Sequence, residues 1–165
     1  MQDQQGPFDW STFKPSELAV LTFVRDSGSI LLIRKLRGLG AGKINAPGGR
    51  IEPGETAEDA ARRETEEEVG LSIGTLHHMA RLHFAFVDGY TLRVEVFVTD
   101  DYSGTPVRTD EADPLWVLEH HIPFDEMWED DRHWLPEVLE GRRVELYGYF
   151  DGDIMLSGDL RPLEE

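Results

Sequence analysis

Glu64, Glu67 and Glu68 stand at i, i+3 and i+4, so on a helix they share one face. At about 100° per residue, Ala57, Ala60 and Ala61 fall on that face too, whereas Glu58, Asp59, Arg62 and Glu66 fall opposite. The first half of the face is small and apolar, suited to close packing on a sheet. The second half puts three carboxylates where a packed helix would carry Leu or Val. Like charges at this spacing repel, and partial burial drives their pKa values up until they protonate, unless a cation relieves them. Mg2+ and Mn2+ take oxygen ligands, and Mg2+ commonly keeps waters and phosphate oxygens in its remaining positions. The pattern therefore suits a metal site that meets a phosphorylated substrate. The plain alternative is a charged, solvated helix end, and the neighbouring residues must decide between the two.

The elements that would position these groups are legible around them. Thr56 is an N-cap with Asp59 in the capping-box position, and Gly70 is a C-terminal stop, which predicts a helix from about Ala57 to Val69. Apolar runs at Leu18 to Arg25 and Ser29 to Arg34 flank Asp26-Ser27-Gly28 and predict a hairpin. Leu76 to Val87 and Leu92 to Thr99 flank Asp88-Gly89-Tyr90 and predict a second. Leu115 to Leu118 and Val144 to Phe150 read as further strands, and Arg37 to Gly42 as a glycine-rich loop. A second helix is expected between about Trp128 and Glu140, with Pro136 kinking it or shifting its start. Strands and helices without strict alternation indicate an α/β protein of the α+β type, a mixed sheet sandwiched by helices.

The length of 165 residues and a hydrophobic content of 39% fit one domain, expected over residues 18–165 behind a flexible N-terminal segment over residues 1–17. With no cysteine, thiolate metal sites, disulfides and cysteine nucleophiles are excluded. A net charge of -17 argues against nucleic acid as a partner, because affinity for phosphate backbones rests on clustered Lys and Arg. The same charge repels a polyanionic small substrate unless a bound cation inverts the field locally. Solubility or adaptation to salt explains the overall acidity equally well, lysine being confined to Lys14, Lys35 and Lys43. No apolar run approaches a membrane span, so a cytoplasmic monomer with no membrane partner is expected. The histidines, at 77, 78, 83, 120, 121 and 133, show no zinc-ligand spacing, and no P-loop motif is present.

Gly49, five residues, Glu55, seven residues, and then Arg63-Glu64-Thr65-Glu66-Glu67-Glu68-Val69-Gly70-Leu71 make a 23-position pattern. It resembles the signature box of the Nudix family, with Thr65 replacing an aliphatic residue as the one soft mismatch. The resemblance implies a Nudix fold and a loop-helix-loop that holds Mg2+, with Mn2+ as the alternative, in a pyrophosphohydrolase. Glu64, Glu67 and Glu68 would be the metal ligands, joined by the Gly49 carbonyl. Glu55 would orient Arg63, which in turn holds the ligand helix.

Five further segments, in the same order, resemble the MutT-homologue branch that hydrolyses oxidised purine nucleoside triphosphates. They are Arg37 to Asn45, Gly104 to Val107 with Asp110-Glu111, Ile122 to Asp131, Trp134-Leu135-Pro136, and Tyr147 to Phe150. Position by position, Trp128 would stack on the base, Asn45 would bond one purine edge, and Asp130 with Asp131 the other. Lys35 and Phe84 complete the implied substrate set. Glu111 would lie near the metals as a further ligand or base. An aromatic face binds any base, so selectivity would come from the edges, where a paired Asp-Asp with a shared proton can donate or accept. For Trp134 a core role is the better reading. Leu39, Leu92, Ala46-Pro47 and Arg34, the last placed near the pocket strands, depart from the branch and bear on base choice.

The reaction so implied is hydrolysis of purine nucleoside triphosphates such as 8-oxo-dGTP to the monophosphate and pyrophosphate, with Glu67 or Glu111 as proton acceptor. Rival readings are a Nudix hydrolase of ADP-ribose, dinucleoside polyphosphates or capped nucleotides, a non-catalytic nucleotide-sensing module, and an isomerase acting on a lipid diphosphate precursor.

Overall fold

The strands follow the apolar runs, and their pairing puts the β1/β2 turn at one end of a sheet and the β6/β7 and β10/β11 turns at the other. The structure, a computed structural model, describes residues 7–164. Strands β1 (Glu17–Asp26) and β2 (Ser29–Lys35) form the first hairpin, turning at Ser27 and Gly28 with positive φ. Then come β3 (Ile44–Asn45), β4 (Gly48–Arg50), helix α1 (Ala57–Val69) and β5 (Ser72–Ile73). Strands β6 (His77–Phe86) and β7 (Thr91–Thr99) form the second hairpin, followed by β8 (Tyr102–Ser103), β9 (Ala112–Leu118), helix α2 (Asp131–Leu139), β10 (Val144–Asp151) and β11 (Ile154–Pro162). The main sheet runs β11-β10-β6-β7-β1-β2-β3, with β4 paired to β1 and β9 to β2. It is mixed, since β1 is parallel to β7 and β10 to β6, whereas the hairpins are antiparallel. Among the described residues no helix is long and apolar enough to cross a membrane.

Helix α1 forms as its caps dictate. Thr56 Oγ1 accepts from the Asp59 N–H at 3.0 Å, and Gly70 closes the helix at φ 80°, a left-handed conformation in which glycine has no Cβ penalty. Its buried residues are Ala60, Ala61, Thr65, Glu68 and Val69. Ala60 and Ala61 pack against Val20 and Phe97, and Val69 against Val24, Leu31 and Ile33. The buried stripe is thus rotated from the expected one. Thr65 lies at its centre, its hydroxyl donating to Ala61 O at 2.7 Å, whereas the Glu67 side chain is 53% exposed on the flank. Close approach to β1 through the alanines fixes this rotation, and a hydroxyl that bonds within its own helix needs no partner outside it.

Three segments differ from their expected form. Helix α2 starts at Asp131, not Trp128, because residues 124–126 make a 3-10 turn that leaves Trp128 before the helix; Pro136 lies inside it. Strand β11 is additional, reached through an Asp151-Gly152-Asp153 turn signal and containing the weakly strand-forming Gly158 and Pro162. Residues 7–16, expected within the flexible segment, lie along the sheet. Phe8 stacks on Tyr149 at 5.4 Å, Trp10 meets Tyr147 edge-on at 5.3 Å, and Phe13 meets His83 edge-on at 5.4 Å. His83 alternates with Leu82 and Phe84, so this aromatic strap covers the sheet face opposite Phe84. Residues 1–6 lie outside the described residues.

Candidate active site

The face of the sheet that carries Leu82 and Phe84 on β6, Leu92 and Val94 on β7 and Ala19 and Leu21 on β1 floors a cavity of about 550 Å3. The turn after β2, strands β3 and β4, helix α1 and the segment around Trp128 wall it in. Lys35, Asn45, Gly49, Glu64, Glu68, Phe84, Glu111, Trp128, Asp130 and Asp131 all line it, so the folded chain gathers these residues from every part of the sequence. Glu67 does not line it, and Glu55 and Arg63 stand behind its wall.

Arg63 organises the acidic end. It donates two hydrogen bonds to Glu55, from Nε at 2.7 Å and Nη2 at 2.9 Å, and a third from Nη2 to Arg50 O at 3.0 Å. Its Nη1 donates to Glu64 at 3.0 Å and to Glu67 at 3.3 Å. These donors pull the Glu55 carboxyl down to about 2, helped by the Glu52 N–H. Glu68 behaves oppositely. Burial pushes it up to about 7, against the pull of the Gly48 N–H at 3.1 Å, and the charges of Glu64 and Glu111 add to the rise. Burial also raises Glu64, opposed by Arg63 and reinforced by Glu67 and Glu111. A Cβ on Gly49 would lie 2.3 Å from the Glu64 carboxyl carbon, so only glycine lets the backbone approach this carboxylate so closely.

Among the described residues no three carboxylate or imidazole groups are gathered into a ready coordination shell. Glu64 and Glu67 share Arg63 instead. The donor set nevertheless fits a hard divalent cation. It is all oxygen, and the desolvation and mutual repulsion that raise Glu64 and Glu68 are what such an ion would relieve.

The other end is aromatic and buried. Trp128 meets Phe150 edge-on at 5.8 Å and Phe86 at 6.4 Å. Asn45 Oδ1 accepts from the Ala46 N–H at 2.8 Å, which leaves its Nδ2 for a ligand. Asp130 Oδ2 accepts from Trp134 Nε1 at 2.8 Å, so the core tryptophan, itself fully buried edge-on against Phe23, holds a cavity carboxylate. Asp131 Oδ2 is buried without a hydrogen-bond partner among the described residues. Burial raises both carboxyls, and the Asp130 charge raises Asp131 further, so the pair retains a proton beyond the ordinary carboxylate range. Neither is a solvated capping group, for Asp130 precedes α2 without making a side-chain cap.

The raised pair has a consequence for stability. A carboxyl whose pKa is higher in the folded than in the unfolded chain favours folding only while protonated in the fold. Its contribution therefore falls as pH climbs from the unfolded value, about 4, to the folded one. Melting temperatures across pH 4 to 8 should show Asp131→Asn gaining on the native chain as pH rises. A constant difference across that range would contradict the buried, proton-sharing pair.

Leu39, Leu92 and Ala46 line the cavity, but Arg34 does not. Next to Lys35 on β2 its side chain points the other way, donating to Gly42 O at 2.9 Å and pairing with Glu126 at 2.8 Å. Phe86 and Tyr90 line the cavity and were not singled out from sequence, and Phe150, the end of a matched segment, lines it too. The alternation of Leu82, Phe84 and Phe86 on one strand would have given Phe86. No local signal marks Tyr90, whose hydroxyl donates to Glu17 across the sheet.

Comparison with known proteins agrees with this geometry. The NUDIX domain model matches residues 15–138. The chain is 41% identical over 152 residues to an oxidized purine nucleoside triphosphate hydrolase of Danio rerio, covering 91% of this chain and 97% of that protein. It is 40% identical over 153 residues to the protein of the same name from Mus musculus, covering 90% and 97%. Its fold superposes on the crystal structure of a MutT protein from Bacillus halodurans with a TM-score of 0.80, over 90% of this chain and 99% of that one, at 22% identity. The box glutamates, their arginine clasp and the mixed sheet beneath them place the chain in the Nudix family.

Proposed function

We propose that this chain hydrolyses oxidised purine nucleoside triphosphates, such as 8-oxo-dGTP, to the monophosphate and pyrophosphate, as a monomeric cytoplasmic enzyme that clears damaged bases from the nucleotide pool. The observation that carries the reading is Asp131 Oδ2, buried and unpartnered in the same cavity as Trp128 and Asn45 at one end and the box carboxylates at the other. A buried carboxylate oxygen without a donor is costly, and a purine edge supplies one. The names of the two relatives point the same way.

In this reading Trp128 stacks on the base, Asn45 Nδ2 donates to one edge, and the Asp130-Asp131 pair meets the other with its shared proton. Phe84 closes the floor, and Lys35 meets the phosphates. Glu64, Glu68 and the Gly49 carbonyl, with Glu67 and Glu111 at the margins, would hold Mg2+, for which Mn2+ can substitute. Such an ion, when bound, neutralises charge on phosphoryl oxygens and makes a bound water acidic. Glu67 or Glu111 accepts the proton of the attacking water, while Glu55 and Arg63 keep the helix in register.

Product analysis tests this. With 8-oxo-dGTP and Mg2+, monophosphate and pyrophosphate should appear in equal amounts, and chelation with EDTA should abolish both. Release of diphosphate and orthophosphate, or turnover indifferent to EDTA, would contradict the reading.

A further inference from the structure

Trp128, which lines the cavity beside Phe86 and Phe150, also has neighbours that do not line it. Lys43 Nζ lies 5.4 Å from the centroid of the indole and 3.2 Å from Asp153 Oδ2, in the turn between β10 and β11. Lys43 and Asp153 are not among the residues lining the cavity, whereas Trp128 is, so the ammonium covers the indole from outside. Gly40 fills the edge beside it: a Cβ there would stand 2.9 Å from Trp128 Nε1, and its φ of +81° excludes most other residues. Two ties hold the surrounding segments. Arg34 joins Gly42 O to Glu126, and the Met155 N–H donates to Glu129 at 2.6 Å. Three stretches distant in sequence thus converge on the outer side of one ring.

A cation within about 6 Å of an indole is attracted by its negative face, and tryptophan is the strongest side-chain partner for this. The attraction draws π density outward and leaves the inner face less negative, which lowers its repulsion with an electron-rich ring stacked there. The 8-oxo group makes a purine more electron-rich.

We propose that Lys43, held by Asp153, is a specificity-determining residue. Its ammonium fixes Trp128 and polarises it so that the inner face favours an electron-rich oxidised purine over the unoxidised one. This deepens the base-site reading and rests on it.

The test measures dissociation constants of 8-oxo-dGMP and dGMP, without metal, for the native chain and for Lys43→Met, Lys43→Arg and Asp153→Asn. Monophosphates read the base site without the chemistry. Lys43→Met should weaken 8-oxo-dGMP about five-fold and dGMP less than about two-fold, contracting the preference. Lys43→Arg should retain it, because the cation remains, and Asp153→Asn should fall between. Equal weakening of both nucleotides, or no change in either, would overturn the proposal. A native chain that binds neither nucleotide would instead sink the base-site reading, and the proposal with it.

Discussion

Glu67→Gln should lower kcat by about 10³-fold, or about 4 kcal/mol of transition-state stabilisation, within the range for loss of a group acting in proton transfer. KM and melting temperature should hardly move. The side chain is more than half exposed and makes one hydrogen bond, at 3.3 Å to Arg63, and exposed substitutions of this kind typically stay within about 0.5 kcal/mol. That separation makes Glu67 a better probe than Glu68, whose buried carboxylate also anchors the Gly48 N–H. Steady-state kinetics at saturating Mg2+ beside the same measurement on Glu111→Gln decides which carboxylate takes the proton, since only the acceptor loses this much with Mg2+ affinity intact. Native turnover in Glu67→Gln would exclude Glu67 as the proton acceptor and leave that role to Glu111.

Trp128→Ala should raise KM roughly 5- to 150-fold, the range implied by about 1 to 3 kcal/mol of base stacking, with kcat reduced much less. The loss belongs to binding because the indole lies at the aromatic end, among Phe86 and Phe150, away from the box carboxylates. Trp134→Ala offers the contrast. That ring is fully buried in the main core, and its removal should cost about 3 to 5 kcal/mol of stability and leave Asp130 without its donor. A Trp128→Ala protein with native KM for 8-oxo-dGTP would place the base elsewhere.

How much of this was legible in the sequence depends on the kind of signal. Helix α1 was, because Thr56 and Gly70 are local devices whose chemistry needs no tertiary context. The box glutamates were, because spacing alone puts them near one face. Their burial was not. A helical wheel treats Glu64, Glu67 and Glu68 alike, yet packing of Ala60 and Ala61 on β1 turns Glu68 inward, Glu67 outward and Thr65 into the core. The strap of Phe8, Trp10 and Phe13 escaped notice because its partners, Tyr149, Tyr147 and His83, lie some 70 to 140 residues away on other strands. Strand β11 was obscured by Gly158 and Pro162, and pairing to β10 overrides their weak propensity. The base end was named residue by residue from resemblance, but the features that give it chemical character depend on the fold. These are the unpartnered Asp131 oxygen, the Trp134 bond to Asp130 and Lys43 behind the indole.

The most direct test of the central claim is kcat/KM at fixed Mg2+ for 8-oxo-dGTP, 2-hydroxy-dATP, dGTP, dATP and ADP-ribose, with Glu67→Gln as the blank. The account predicts that the two oxidised purines exceed their unoxidised counterparts by at least about ten-fold, a difference of about 1.4 kcal/mol, and that ADP-ribose is turned over least. Activity confined to ADP-ribose, or equal for oxidised and unoxidised purines, would contradict it and leave a Nudix hydrolase with a different substrate in this cavity.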